Sequence, residues 1–320
     1  MTEIFKKEIK EGLEASPKTL PSKYFYDKTG DALFVEIMNL PEYYLTRSEL
    51  DIFKNKTQQL IDSFNLKTDT YFELIELGAG DGLKTKELLK ELDAQNFKFD
   101  FFPIDISKNA LDLLEKDLKK EIPNLSVKTQ QGDYFEILHS LKKSKNPKIV
   151  LFLGSNIGNM TDVQASKFIY NLSENLQEDD KLLLGVDLIK PKEIVLPAYN
   201  DSKGITAKFN LNLLHRINRE LRGNFNLNNF KHLPEYTDKE GIAKSFIIST
   251  TNQTVEIKAI NKSFNFSEGE KIHTEISRKY NNIIIQEIIS NTNFIIDTKI
   301  MDSKKYFADY IFTRTSKFKH

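Results

Sequence analysis

Short apolar runs, each bounded by polar residues or glycine, recur along the first two thirds of the chain. Five have the length and the β-branched or aromatic content of buried strands: 71–77, 99–105, 125–130, 148–154 and 181–187. Between them lie segments such as Ala110-Leu111-Asp112-Leu113-Leu114 and Val163 to Leu176, whose apolar residues recur at helical spacing. Strands that alternate with helices bury both faces of a parallel sheet, so the pattern predicts a doubly wound α/β arrangement. The flanks differ. Residues 1–60 hold no strong strand, and Thr46-Arg47-Ser48-Glu49 fits a capping box that starts a helix ahead of Leu50, Ile52 and Phe53. Beyond Asp187 come Pro191 and Pro197, then a predicted helix over 203–222. Alternating runs such as Phe246-Ile247-Ile248 and Val255-Glu256-Ile257 follow and predict a small antiparallel sheet. Ile283 to Ile289 satisfies both a helical and an extended reading, while Phe294-Ile295-Ile296 and Tyr306 to Phe312 suit a closing hairpin. A chain of 320 residues exceeds the usual single-domain size, so an inserted or second domain is expected.

The first predicted strand runs into Glu76-Leu77-Gly78-Ala79-Gly80-Asp81-Gly82 and then into a helical segment rich in Lys, Glu and Leu. Glycine there lets the backbone take positive φ and lets a ligand approach where a Cβ would collide, while the N–H groups of the next helix face whatever binds. A dinucleotide fingerprint, Gly-x-Gly-x-x-Gly, would need a third glycine where Leu83 stands. Gly78, Gly80 and Gly82 give Gly-x-Gly-x-Gly instead, a spacing similar to the first motif of S-adenosylmethionine (SAM) dependent methyltransferases. On spacing alone, a tight strand-to-helix turn and a dehydrogenase loop remain the alternatives. Asp105 ends the second strand, where an acid accepts hydrogen bonds from ribose hydroxyls or else caps the helix starting near Ser107. Asp133, in Gly132-Asp133-Tyr134-Phe135, stands where an acid takes an adenine amino group and Tyr134 or Phe135 stacks on the base; its plain alternative is a surface-turn acid. Lys84 either reaches a carboxylate or is a solvated helix residue. At the fourth strand, Leu153-Gly154-Ser155-Asn156-Ile157-Gly158-Asn159 places Asn159 to offer a donor to substrate, against an Asn-stabilised turn.

Composition narrows the classes. Lys plus Arg and Asp plus Glu both total 46, so no net field draws nucleic acid or an anionic membrane. The absence of cysteine removes disulfides, a thiol nucleophile and Cys-ligated metal, and fits a reducing cytosol. No stretch reaches membrane-spanning length and the first residues carry no signal-peptide core, so a cytoplasmic protein is expected. The five histidines show no ligand spacing, and no metal is expected. Without a long amphipathic seam, the expectation is a monomer acting on a small molecule.

Several further blocks carry a resemblance over most of the chain. They are Leu20-Pro21-Ser22-Lys23-Tyr24-Phe25-Tyr26-Asp27 with Gly30 and Leu33-Phe34, and Leu40-Pro41-Glu42-Tyr43-Tyr44-Leu45-Thr46-Arg47. To these add Lys84-Thr85, Pro103-Ile104-Asp105-Ile106-Ser107, Gly154 to Asn159, Ala198-Tyr199-Asn200-Asp201 with Gly204-Ile205-Thr206 and Phe209-Asn210, and Thr274-Glu275-Ile276-Ser277. Together they resemble the histidine-specific SAM-dependent methyltransferases, which make Nα-trimethylhistidine (hercynine) for ergothioneine synthesis. The resemblance extends to fungal enzymes that methylate a prenylated tryptophan.

What the resemblance implies is specific. The fold would be a Rossmann-like class I methyltransferase domain, with a seven-stranded mostly parallel sheet, over 51–190 plus 281–320. A second α+β substrate-binding domain would comprise 1–50 plus 191–280. Gly78, Gly80, Lys84, Asp105, Asp133 and Tyr134 would line the SAM site. Tyr26 and Tyr43 would hold the amine, Asn159 and Tyr199 the α-carboxylate, and Glu275 with Ser277 the imidazole of an amino-acid substrate. Taken without it, Tyr26 and Tyr43 read as half-buried packing residues, and Glu275 and Ser277 as one face of a surface strand. The chain departs from its relatives at Ala243-Lys244-Ser245-Phe246, where they often carry a Glu-Met pair beside the side-chain pocket. Methyl transfer from a sulfonium is an in-line displacement, which asks for alignment of a neutral amine and exclusion of water rather than a metal or a covalent nucleophile.

Overall fold

In the computed structural model, which describes residues 3–316, the chain forms two compact units: Met1–Tyr44 with Lys190–Arg278, and Leu45–Ile189 with Lys279–His320. The first division falls between Tyr44 and Leu45 because the Leu45–Asn55 helix packs its Ile52 and Phe53 into the core of the second unit.

The second unit is built on a sheet with seven strand positions. Its order is Phe294–Met301, Phe307–Arg314, Lys181–Asp187, Lys148–Phe152, Phe72–Leu77, Phe99–Asp105, and then an edge shared by the short strands Ser126–Val127 and Gln130–Gln131. Pairing is parallel except at Phe307–Arg314, which runs antiparallel to both neighbours. This is the Rossmann-like class I methyltransferase arrangement. Phe72–Leu77 and Lys148–Phe152 are buried at every position, as strands covered on both faces must be. Their side chains divide by parity. Phe72, Leu74 and Phe101 enter one core with the Leu45–Asn55, Thr57–Phe64, Thr85–Ala94 and Lys108–Glu121 helices. Ile75, Leu77, Phe102 and Ile104 enter the other with the Tyr134–Leu141, Asp162–Asn175 and Asn282–Ile289 helices. The ambiguous 283–289 run is therefore helical, started by the Asn281 side chain accepting from the Ile284 N–H and buried through Ile284, Ile285, Ile288 and Ile289.

Thr46-Arg47-Ser48-Glu49 does not form the expected capping box. The helix already begins at Leu45, and Glu49, instead of reaching back to an N-terminal N–H, is wholly buried with its carboxylate in the unit's interior.

The first unit pairs a four-stranded sheet with helices. The order is Lys18–Thr19, Lys271–Arg278, Ile242–Ser249 and Phe230–Glu235, and a separate hairpin joins Gln253–Ile257 to Lys262–Phe266. Burial alternates along Ile242–Ser249, so one face is buried. Ile247 and Ile272 on that face pack with Leu213, Leu214 and Ile217 of the long Ile205–Leu221 helix, against which the Lys28–Met38 helix also packs.

Lys279 and Asp187 form a fully buried ion pair at 2.7 Å beside the end of the Lys181–Asp187 strand, and Ser155 Oγ accepts from the Asp187 N–H. Removing one partner of such a pair strands the other charge in low dielectric. Lys279→Met is expected to lower the stability of the protein by about 3–5 kcal/mol in urea unfolding. A loss below about 1 kcal/mol would mean the pair is solvated.

Candidate active site

Strand order reverses at Phe72–Leu77, whose neighbours on its two sides are Phe99–Asp105 and Lys148–Phe152. The connections leaving such neighbours diverge and open a crevice beyond the carboxyl ends of the strands. Seven of the residues singled out from sequence stand at or just beyond those ends: Gly78, Gly80, Lys84, Asp105, Asp133, Tyr134 and Asn159. The loop Gly78 to Gly82 takes positive φ at Gly78, Gly80 and Gly82. At Gly78 the need for glycine is steric as well, because an added Cβ would sit 2.8 Å from the Tyr134 hydroxyl; at Gly80 an added Cβ would meet nothing within 4 Å. That open side leaves room for a ligand against the backbone.

Asp105 holds this loop. Its Oδ2 accepts from the Gly80 N–H at 3.2 Å and its Oδ1 from the Ser107 N–H at 2.8 Å, while the Lys108–Glu121 helix is capped by Ser107, not by Asp105. Asp133 caps the Tyr134–Leu141 helix, its Oδ1 accepting from Phe135 and Glu136 N–H at 2.9 and 3.3 Å. Tyr134 is half-buried, with its ring 6.4 Å from that of Phe152. Burial, then the charges of Asp105, Asp133 and Glu76, push its hydroxyl up to about 12, so it is a neutral donor. Lys84 ends the glycine loop, and its ammonium pairs with Glu49. Burial alone would lower the lysine, but the carboxylate prevails and holds it above its ordinary value. Asn159 closes the Asn156–Asn159 turn on the exposed side, after Ser155 has taken a left-handed conformation.

The remaining candidates lie in the first unit. Tyr26 follows a short Ser22–Phe25 turn and precedes Asp27, which caps the Lys28–Met38 helix. Asp27 Oδ1 accepts from Gly30 N–H and Asn212 Nδ2, each at 2.8 Å, and Oδ2 from Arg219 at 2.6 Å. Burial would raise this carboxyl, but those donors win and hold it at about 2. Arg216 donates to the carbonyls of Tyr24 and Tyr26 at 3.0 and 3.4 Å, so the long helix fixes the backbone on both sides of Phe25. The Tyr26 ring meets Phe34 and Phe209 edge-on at 5.6 and 5.5 Å, and Phe34 in turn meets Tyr43 at 6.2 Å. The two tyrosines thus flank Phe34 in one aromatic wall. Tyr26 stays 42% exposed, yet its hydroxyl is raised by burial first and then by the charges of Glu275, Asp31 and Tyr199.

Glu275 owes its direction to a break in register. The Lys271–Arg278 strand bulges between His273 and Glu275, after which Glu275 stands opposite Ser245 and Ser277 opposite Ala243. Ser245 and Ala243 share the buried face of their strand with Ile247, so the bulge brings Glu275 and Ser277 to the helix-covered face, toward Tyr26. Lys244 points the other way, to Glu240. Of the departing residues, Ser245 is therefore the one opposite Glu275. Tyr199 is buried, and its carbonyl lies 2.9 Å from His232 Nε2, which fixes that nitrogen as the donor.

Two clusters therefore exist, each within its own unit: glycine loop, Asp105, Asp133, Tyr134, Lys84 and Asn159 in one, and Tyr26, Tyr43, Tyr199, Glu275 and Ser277 in the other. The sequence reading missed Glu49, Glu76 and the Asp27–Arg219 clamp. Glu76 directly precedes the glycine loop but reads as any strand residue; the clamp spans distant segments with no local signal.

A family model described as "Histidine-specific methyltransferase, SAM-dependent" matches residues 5–314. The chain belongs to this family. This histidine-specific methyltransferase is 35% identical over 278 residues, 87% of its own length and 85% of the other's, to the histidine N-alpha-methyltransferase of Mycolicibacterium smegmatis. It is 33% identical to the protein of the same name from Mycobacterium tuberculosis, over 86% of this chain and 84% of that one. Ergothioneine biosynthesis protein 1 of Schizosaccharomyces pombe is 30% identical over 95% of this chain, which spans 40% of that longer protein. The enzyme is a SAM-dependent methyltransferase. Its glycine loop suits the donor, because the loop leaves the Gly80 backbone open and sets Asp105 and a neutral Tyr134 around it.

Glu76, the last acid before the loop, accepts from Thr85 Oγ1 at 2.7 Å through Oε1, while its buried Oε2 has no partner. Burial pushes it up to about 8. A raised carboxyl favours the folded state fully below its unfolded pKa of about 4.3, and that contribution is lost as pH rises to about 8. Glu76→Gln, which keeps the acceptor, is expected to match the wild type in melting temperature at pH 5 and to exceed it at pH 8. Parallel curves across that range would show that Glu76 ionises freely.

Proposed function

We propose that the enzyme transfers methyl groups from SAM to the α-amino nitrogen of L-histidine, ending at Nα,Nα,Nα-trimethylhistidine, as a step toward ergothioneine. The observation that carries this reading is Glu275, turned by the bulge onto the face where its charge reaches Tyr26, whose ring packs edge-on against Phe34 and Phe209. A carboxylate in such a place accepts the N–H of an imidazole, and the buried Ser277 two residues on offers a second polar contact. The names of the relatives support the same substrate.

SAM, when bound, supplies an electrophilic methyl group on a sulfonium. On this reading Asp105 takes the ribose hydroxyls, Asp133 the adenine amino group, and Tyr134 lies against the base, with Gly78 and Gly80 giving the backbone room and Lys84 facing the donor's carboxylate. Asn159 in one unit and Tyr199 in the other are, by the resemblance, each candidates for the substrate carboxylate. Tyr26 and Tyr43 orient the amine. The raised Tyr26 hydroxyl remains a phenol at neutral pH, so it serves as a hydrogen-bond partner for the nitrogen and not as the base; the ammonium proton leaves to water. The aromatic wall also tolerates the positive charge that grows with each methyl group.

A second reading keeps the mechanism and changes the amino acid. Ser245, a small side chain in register with Glu275, takes up less room beside it than a larger residue would, which favours a bulkier indole with its own N–H. Mass spectrometry after incubation with SAM and an equimolar mixture of the twenty amino acids decides between them. Mass gain on histidine alone, up to three methyl groups, is expected; gain on tryptophan with none on histidine would transfer the pocket to the second reading. In calorimetry, Glu275→Ala is expected to weaken histidine binding about 10- to 100-fold, as the loss of a charged hydrogen bond does, with SAM affinity unchanged. Equal loss of both ligands would remove Glu275 from the substrate pocket.

A further inference from the structure

Glu49 is completely buried on the Leu45–Asn55 helix, and five elements of the second unit meet at its carboxylate. Its Oε2 pairs with Lys84, at the end of the glycine loop. Both oxygens accept from the Gly154 N–H, at 3.0 and 2.9 Å, in the loop that carries Asn156 and Asn159. Room for it is made by Gly185 in the Lys181–Asp187 strand, where an added Cβ would fall 2.0 Å from Glu49 Oε1 and 3.0 Å from Asp309 Oδ1. Asp309, in register with Gly185, is buried and both of its oxygens lack partners; burial first, then the Glu49 charge, push its carboxyl well above the ordinary carboxylate range. Two acids and a lysine in one buried pocket are a poor way to gain stability, since apolar groups of the same volume would do as well or better. What the arrangement does provide is direction. One carboxylate fixes an ammonium from the loop on one side of the crevice and an amide from the loop on the other.

We infer that Glu49 is a positioning residue for the methyl donor, holding the Lys84 ammonium and the Gly154 amide in the arrangement that receives it. The inference rests on the reading of Lys84 as a contact to the donor's carboxylate. Glu49 itself touches no donor atom; it acts through Lys84.

The test is a double-mutant cycle of SAM binding by calorimetry on the full chain, with Glu49→Gln, Lys84→Met and both together, alongside steady-state kinetics. Glu49→Gln is expected to weaken SAM about tenfold and to raise its KM by the same factor, with kcat at saturating SAM within twofold of wild type. The double variant is expected to bind no more weakly than Lys84→Met alone, because the two residues act in series. Glu49→Asp, which keeps the charge but withdraws it by one methylene, gives an intermediate loss and serves if the glutamine variant fails to fold. Wild-type SAM affinity in Glu49→Gln or Glu49→Asp, with Lys84→Met impaired, overturns the role of Glu49 and leaves that of Lys84 standing. Additive losses in the double variant overturn it too. Wild-type affinity in Lys84→Met overturns the reading of Lys84, and this inference with it.

Discussion

The crevice of the second unit depends on the reversal of winding at the Phe72–Leu77 strand. Parallel pairing on both of its sides sends the following connections away from each other, so their first residues lose the neighbours that a continuous layer would supply. Backbone N–H groups at those ends must then find other acceptors. Asp105 serves Gly80, Asp133 serves the start of the next helix, and Glu49 serves Gly154. The acids around the crevice are thus part of how the crevice is closed as structure, before any ligand enters. This explains why Asp105 and Asp133 are at once structural acceptors and candidates for the donor: a carboxylate has about four lone-pair sites, more than the backbone N–H groups occupy.

Elements whose signals are local were legible in the sequence. The strands Lys148–Phe152 and Lys181–Asp187 announced themselves as apolar runs because both faces are covered, and the glycine loop because three positive φ angles leave little choice of residue. The helix 203–222 and the final hairpin were likewise carried by periodicity and proximity. The failures are of one kind. Thr46 to Glu49 spells a capping box, yet Glu49 is recruited by Lys84 and Gly154, far away in sequence, and tertiary contact overrides local propensity. The bulge that turns Glu275 leaves no mark in Thr274-Glu275-Ile276-Ser277, because it is a property of the pairing with 242–249 and not of either strand alone. Glu76 looks like any polar residue in a strand until both faces of the sheet are known to be covered.

In the first unit, precision comes from the long Ile205–Leu221 helix. Asn212, Arg216 and Arg219 lie along one stretch of it, and between them they hold the carboxylate of Asp27 and the carbonyls of Tyr24 and Tyr26. Phe209, one turn earlier, supplies the ring against Tyr26. A half-exposed tyrosine is thereby given the rigidity of a core residue without being buried. Gly30 completes the support: a Cβ there would meet the Phe25 carbonyl at 1.8 Å, so the turn folds back on the helix it starts only because that atom is missing.

The backbone around the Lys279–Asp187 pair closes on itself. Asp187 O accepts from Tyr280 N–H, Tyr280 O accepts from Ile189 N–H, and Leu188 bridges Tyr280 in parallel, so the chain leaves the sheet and comes back at the same spot. The whole excursion 190–278 hangs from two strands already fastened at their base. Its length then matters little to closure entropy, since the cost of holding two ends together grows only as the logarithm of the number of residues between them. A segment anchored like this can be lengthened or shortened with little cost to the sheet that carries it.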